Sequence, residues 1–310
     1  MASTKVNIPT IDFCDPELKP NTPQWENTKI QVLEALQEHG YFEAIFDKVP
    51  NEIREVIFDS SKEAFEFPLV SKLSEYREKP YHIYEGQIPR LPLFDLVKSV
   101  DLLLPDSVET FVNTFWPDGN PNYCNVVKSY CKALMELDEM VKRMVLESLG
   151  LKNYIDEFLD PNFFMLRFTN YKDQGEHEHK QGLGSHTDGG YLTIIKQNQI
   201  GLQVLNKDGE WICVNTSPNS YLVLSADSFM AWTNGKLRSP PHKVHSEGDT
   251  DRFSIQLFSS PNPDYKVEVP KELVDEEHPL LFKPFKIHEY YQYIQSGFKN
   301  GVGLKNYCGL

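Results

Sequence analysis

The stretch "GSHTDGG" (184–190) holds an imidazole and a carboxylate two positions apart, His186 and Asp188, among glycines. Alone, such a pair is most often a polar turn. A cation site needs a third donor, and in β structure donors come from neighbouring strands, so the third should lie far along the chain. His242, in "RSPPHKVH", follows Asp188 after 53 intervening residues and precedes a strand-like run. Ten positions further on, "DRFSIQLF" holds Arg252 and Ser254 two apart. Residues i and i+2 of a strand face the same way. Arg252 and Ser254 can therefore converge on one ligand, as His186 and Asp188 can on one cation. Two imidazoles and a carboxylate on one face of an octahedron suit Fe(II) and leave three positions open. A guanidinium forks onto a carboxylate through two hydrogen bonds, and a serine hydroxyl adds a third.

These residues need a scaffold. The 310-residue chain is 40% hydrophobic and 12% aromatic, enough for a sizeable buried core. Its first half reads as helical. "VNIPTIDF" (6–13) alternates like a strand, Thr22-Pro23 is a helix start, and Trp25, Val32, Leu33 and Leu36 mark one face up to Gly40. "YFEAIF" (41–46) is a short strand and 50–66 returns to helical spacing. Residues 68–121 carry many prolines, so loops, short helices and at most a weak strand are expected. Apolar residues from Val126 to Leu149 then recur at helical period over roughly 27 residues, closed by Gly150. Beyond residue 160 short apolar runs alternate with turn residues: "FFMLRF", "YLTIIKQ", "LQVL", "EWICV", "YLVLSA", "FMAW", "HKVH" and "FSIQLF". That texture indicates a β sandwich or barrel. "NKDGEW" (206–211) is a hairpin signal. The expected organisation is a mostly helical region over 1–160 supporting a β core with C-terminal helices over 161–310, in one structural unit.

The residues resemble a known family. H-T-D, a distant H and R-F-S are similar to the signature of the plant soluble 2-oxoglutarate/Fe(II)-dependent dioxygenases. "VNIPTIDF", "LQEHGYFEAI", "RFTNYKDQG" and "FMAWTNGKLRSPPHKV" resemble that family's corresponding segments, so the likeness runs from about residue 7 to 300. "FWPDGN" and "DEEHPLLFKPF" are most similar to the subgroup with the alkenyl- and hydroxyalkyl-producing enzymes of glucosinolate metabolism. The resemblance implies an α+β fold with a double-stranded β-helix (jelly-roll) core flanked by helices. It implies His186, Asp188 and His242 as iron ligands, Arg252 and Ser254 as the clamp for 2-oxoglutarate, and Tyr171 as a further 2-oxoglutarate contact. It also implies Fe(II), 2-oxoglutarate and O2 as reactants, ascorbate as reductant, and succinate and CO2 as co-products. The expected reaction is hydroxylation of a C–H bond in a small hydrophobic plant metabolite. Desaturation, demethylation, ring closure, a 2-oxoglutarate-independent oxidase and a non-catalytic acid-binding protein are the alternatives. Family positions make Arg167, Phe258 and Ser260 candidate substrate contacts, with Phe111 and Phe115 as a candidate aromatic wall.

Other features read more plainly. His177 and His179 lie in the hydrophilic run "DQGEHEHKQG", a solvated loop, and His245 is a supporting or surface residue. Five cysteines without a C-x-x-C suit reduced thiols in a cytoplasmic protein rather than a disulfide framework. "MASTKVNIPTID" lacks the basic start and apolar stretch of a secretory signal. No apolar run long enough to span a bilayer is present. A net charge of −14 opposes binding to nucleic acid or to an anionic membrane. A monomer acting on a small molecule is expected.

Overall fold

Local signals set the N-terminal elements. Thr22 Oγ1 accepts a hydrogen bond from the Trp25 amide at 3.2 Å and caps the helix Pro23–Glu38. Gly40, at φ +82°, ends it where a Cβ would run into Pro240 and Arg238. The structure, a computed structural model, describes residues 8–66, 94–102, 106–159, 162–171, 181–245, 250–297 and 303–310. A second helix spans Asn51–Glu66. The long helix runs from Pro121 to Ser148, capped by the Asn120 side chain, which accepts from the Tyr123 amide at 3.0 Å. Gly150, at φ +74°, turns the chain out of it.

Thirteen strands are described: β1 (Thr10–Asp12), β2 (Tyr41–Ile45), β3 (Phe94–Asp101), β4 (Asn162–Tyr171), β5 (Gln181–His186), β6 (Leu192–Gln197), β7 (Leu202–Leu205), β8 (Trp211–Cys213), β9 (Ser220–Ser225), β10 (His242–His245), β11 (Arg252–Pro261), β12 (Lys266–Val267) and β13 (Phe285–Lys286). The large sheet has the order β1-β2-β9-β6-β11-β4-β3, and a second sheet has the order β5-β10-β7-β8. This is the jelly-roll core of an α+β fold. Strands β1, β2 and β3, from the first 101 residues, belong to the large sheet. The hairpin at 206–211 joins β7 to β8, with Gly209 at φ +82°.

Three expectations change. "FMAW" is not strand but part of a short helix, Asp227–Trp232, because the amides that lead into it, at 226–228, bond the 188–191 turn. Phe94–Asp101 is a full edge strand, paired with β4 through a register shift between Val97 and Ser99. That irregularity breaks the clean alternation that would have marked it in sequence. "QGLGSH" is also a strand, β5, although glycines weaken that pattern. His82, His177 and His179 lie outside the described residues.

Alternation along β11 sends its two faces to different places. Ile255, Leu257 and Ser259 face outward, where the long helix packs against β6 and β11. Ser259 Oγ donates to Asp138 on that helix at 2.5 Å, and Asp138 pairs with Lys142 at 2.7 Å in near-complete burial. Burial pushes the Asp138 carboxyl up and the Lys142 ammonium down, while each charge opposes the other's shift. The ammonium also faces the Tyr191 and Phe164 rings at 5.1 and 5.4 Å. Breaking such a pair strands a buried charge. Replacing Lys142→Met should therefore cost about 3–5 kcal/mol of stability in denaturant unfolding, and adding Asp138→Leu should recover most of it.

Candidate active site

The inward face of the large sheet meets the small sheet around a cavity lined by β4, β5, β6, β7, β10 and β11. His186 ends β5, Asp188 follows in the turn, and His242 opens β10 directly opposite His186 in the antiparallel register. Ligand atoms of the three lie within 4.8 Å of one another, and the two imidazole centroids are 4.3 Å apart. Nε2 of His186 is 3.9 Å from Asp188 Oδ1, and Nε2 of His242 is 3.7 Å from Oδ2. Each imidazole directs Nδ1 at a backbone carbonyl, Gly184 O at 2.9 Å and Pro240 O at 3.3 Å. That places the proton on Nδ1 and leaves both Nε2 lone pairs facing the carboxylate, the arrangement in which histidines ligate metals.

The electrostatics agree. Burial, aided by the neighbouring His242, lowers the His186 pKa to about 4, so its imidazole is neutral at neutral pH. Burial pushes the Asp188 carboxyl up, but both imidazoles, the Thr193 hydroxyl and Arg167 outweigh it and hold the group below the usual carboxylate range. Thr193 Oγ1 donates to Asp188 Oδ2 at 2.6 Å. Two imidazoles with Nε2 turned inward and a carboxylate between them are the donor set a divalent iron takes, so these residues fit the metal.

The H-x-D turn is bonded to the start of the 227–232 helix residue by residue. Asp227 N donates to Asp188 O at 2.8 Å, Ser228 N to Gly190 O at 3.0 Å and Ser228 Oγ to Gly189 O at 2.5 Å. The buried Asp227 carboxylate accepts from Thr187 Oγ1 at 2.8 Å and from Tyr290 at 2.5 Å. A Cβ on Gly190 would collide with the Ser259 carbonyl of β11, and one on Gly189 would sit 2.8 Å from the Tyr291 ring. The glycines thus let β11 and the C-terminal helix Ile287–Gly297 approach the turn.

At the other end, Arg252 is only 1% exposed. Its guanidinium donates to Gln197 Oε1 at 2.7 Å and Ser254 Oγ at 3.4 Å, and its Cζ lies 5.0 Å from the Tyr171 ring centre. All of these partners are neutral, and among the described residues Nε has no hydrogen-bond acceptor. No carboxylate among the described residues pairs with it. Ser254 Oγ also bonds Thr169 Oγ1 and Gln256 Nε2, each at 2.6 Å. Gly201 and Gly182 make room: a Cβ would lie 2.7 Å from Arg252 Cδ on the first and 2.6 Å from the Tyr171 ring on the second.

Of the residues expected from sequence, His186, Asp188, His242, Arg252, Ser254, Tyr171, Arg167 and Phe258 line this one cavity. Arg167 lies over the Phe258 ring at 4.7 Å. Phe111 and Phe115 do not reach it. Phe111 stacks on Phe168, which faces away from the cavity on β4, and Phe115 packs edge-on against Phe111. Both are core residues. Ser260 lies beyond the lining, within 3.2 Å of the Tyr291 hydroxyl. His245 is three residues from His242, so Val244 faces the cavity in its place. Thr169 and Gln256 are legible in sequence by parity from Tyr171 and Ser254. Thr193 and Gln197 are not, because nothing local couples β6 to the H-x-D turn or to Arg252.

The family profile described as 2OG-Fe(II) oxygenase superfamily matches residues 162–261. AOP1.2 of Arabidopsis thaliana, a probable 2-oxoglutarate-dependent dioxygenase, is 38% identical over 95% of this chain and 92% of its own length. The crystal structure of a rice dioxygenase for auxin oxidation superposes with a TM-score of 0.81 at 26% identity, over 98% of this chain and 100% of that one. The structure of JOX2 in complex with 2OG, Fe and JA gives 0.78 at 25% identity, over 94% and 85%.

Thr193 offers a test of the metal reading that leaves every proposed ligand in place. Thr193→Val removes the hydroxyl that orients Asp188, and divalent-cation affinity, titrated calorimetrically with Co(II), should fall about 10- to 100-fold.

Proposed function

The chain belongs to the 2OG-Fe(II) oxygenase superfamily and is a 2-oxoglutarate-dependent dioxygenase; we propose that His186, Asp188 and His242 are its iron ligands and that Arg252, Ser254 and Tyr171 bind 2-oxoglutarate. The observation that carries this reading is the buried Arg252 guanidinium with only neutral partners, in the cavity it shares with the His-Asp-His cluster. Burying a charge is costly unless it is paired. The distal carboxylate of 2-oxoglutarate supplies the missing anion, held bidentately by the guanidinium and by the Ser254 hydroxyl. The buried Tyr171 packs against the same guanidinium and keeps its plane aimed into the cavity. Ile195, Leu202 and Val244 line the cavity beside it, exclude water and strengthen that pairing.

Bound iron supplies O2 activation coupled to oxidative decarboxylation of 2-oxoglutarate to succinate and CO2. The Nδ1–carbonyl bonds of His186 and His242 and the Thr193–Asp188 bond hold the donors in place before the metal arrives. The substrate we propose is a small, largely hydrophobic plant specialised metabolite, hydroxylated at a C–H bond beside Phe258. Likeness to a plant dioxygenase for auxin oxidation and to JOX2 supports that class. Ascorbate serves as reductant. The five thiols, none in a disulfide, suit a reducing cytoplasm, where we place the enzyme as a monomer. Among the described residues no helix is long and apolar enough to cross a membrane. We treat 1–160 as the mostly helical support and 161–310 as the catalytic core of one unit.

A succinate-release screen across plant metabolites, with Fe(II), ascorbate and 2-oxoglutarate, tests the reading. His186→Ala should abolish succinate formation, and iron-dependent succinate from that variant would overturn the ligand assignment. Arg252→Met should raise the KM for 2-oxoglutarate about 30-fold or more, equivalent to about 2 kcal/mol.

A further inference from the structure

The buried Arg252 guanidinium is held by an amide at a place where a counter-ion could sit. Gln197 closes β6 opposite Ser254 of β11, outside the cavity lining. Its Oε1 accepts from Arg252 Nη2 at 2.7 Å. The other end of the amide is engaged too: Nε2 donates to the Val214 carbonyl at 2.9 Å. These two bonds fix which amide atom faces the arginine. A reversed amide would set N–H against N–H at Arg252 and oxygen against oxygen at Val214.

The supports on either side are firm. Val214 is fully buried, and its own amide donates to Leu202 O of β7 at 2.8 Å. Asn198, the next residue, accepts the Phe253 amide on Oδ1 at 2.8 Å and donates its amide to Phe253 O at 3.1 Å. That clip holds the end of β6 to β11 beside Arg252. Along the arginine stem the Gly201 backbone leaves no slack: a Cβ there would meet Cδ at 2.7 Å and Nε at 2.9 Å. With its stem and one nitrogen held, the guanidinium has little freedom of direction.

Residue type then matters as much as the hydrogen bond. A glutamate has nearly the shape of a glutamine, accepts the same bond from Arg252, and would give the cation the counter-ion that buried arginines normally have. It would also cancel the charge that draws an anion and compete with that anion for the same N–H groups. An amide oxygen aims the guanidinium and leaves its net charge intact.

We propose that Gln197 is a positioning residue whose neutral amide aims the Arg252 guanidinium and, by carrying no charge, keeps that cation available to an anionic ligand. This rests on the reading of Arg252 as the 2-oxoglutarate clamp and adds what keeps the clamp open.

The test is anaerobic calorimetric titration of the Co(II)-loaded protein with 2-oxoglutarate and with 2-oxopentanoate, the same chain without the distal carboxylate. Neither Gln197→Met nor Gln197→Glu can donate to Val214, so comparing the two isolates the charge. Gln197→Met should weaken 2-oxoglutarate about 3- to 10-fold, the range of one hydrogen bond. Gln197→Glu should weaken it at least about 10-fold further. Gln197→Asn, neutral but shorter, should fall with the Met variant, and 2-oxopentanoate should bind all of them within about twofold of wild type. Thermal melting checks that each variant folds. Equal 2-oxoglutarate affinity in the Met and Glu variants, wild-type affinity in Gln197→Met, or equal losses for the two keto acids would each overturn the inference while leaving the clamp in place. A wild type that binds 2-oxoglutarate no more tightly than 2-oxopentanoate, with Arg252→Met leaving that ratio unchanged, would overturn the clamp reading itself and the inference with it.

Discussion

Pairing of β11 with β4 over their whole length decides which side chains can meet. The ladder runs from Arg252 opposite Tyr171 to Pro261 opposite Asn162 without a break. Alternation then sends Arg252, Ser254, Gln256 and Phe258 inward with Tyr171, Thr169 and Arg167. The intervening residues of β11 go outward, Phe253 against Phe65 of the Asn51–Glu66 helix and Ser259 to the long helix. A slip of one residue would exchange the two sets, turning Ile255 and Leu257 into the cavity and Arg252 outward, to the side where Phe253 meets Phe65. The outward side is not passive. Ser259 is tied to Asp138, its carbonyl accepts from Tyr191 N at 2.7 Å, and Gly190 lies against that carbonyl. One strand therefore links the helical layer, the H-x-D turn and the Arg252 end of the cavity.

Rigidity around the turn is the second requirement. A donor set holds a metal well when the ligands already sit where the ion needs them. Here the backbone of 188–190 is bonded to residues 227 and 228, and Thr187 and Tyr290 share the buried Asp227 carboxylate. Burial raises the pKa of that carboxyl despite the hydroxyls that Tyr290 and Thr187 donate to it. The C-terminal helix thus reaches the H-x-D turn through Tyr290, which joins the end of the fold to its centre.

The chain as a whole is strongly acidic, yet its cavity holds the buried guanidinium of Arg252, whose hydrogen-bond partners are neutral. These facts are compatible because exposed charges are screened within a Debye length of about 8 Å at physiological ionic strength, whereas charges in a water-poor cavity act on their ligand at full strength. The surface keeps polyanions away. In the interior, the Arg252 guanidinium is shielded from that screening solvent.

Much of the site is legible in the amino-acid sequence. H-x-D, a distant histidine and R-x-S need only the identity of the residues and the period of a strand, and parity extends them to Thr169 and Gln256. Aromatic content, by contrast, misleads: Phe111 and Phe115 look like a pocket wall, but the helix that bears them packs on the outer face of β4. Whether a phenylalanine faces a cavity or a core depends on which side of a sheet its helix docks, and that is a long-range fact. The same holds for Thr193 and Gln197, which act through partners on other strands, for the helix in place of a strand at 227–232, and for the edge strand at 94–101 with its register shift. Residue types and spacing alone determined the chemistry this protein carries, because donor identity and strand period are local. Tertiary structure decided which of these residues share one cavity, because pairing and burial are set by residues distant in the chain.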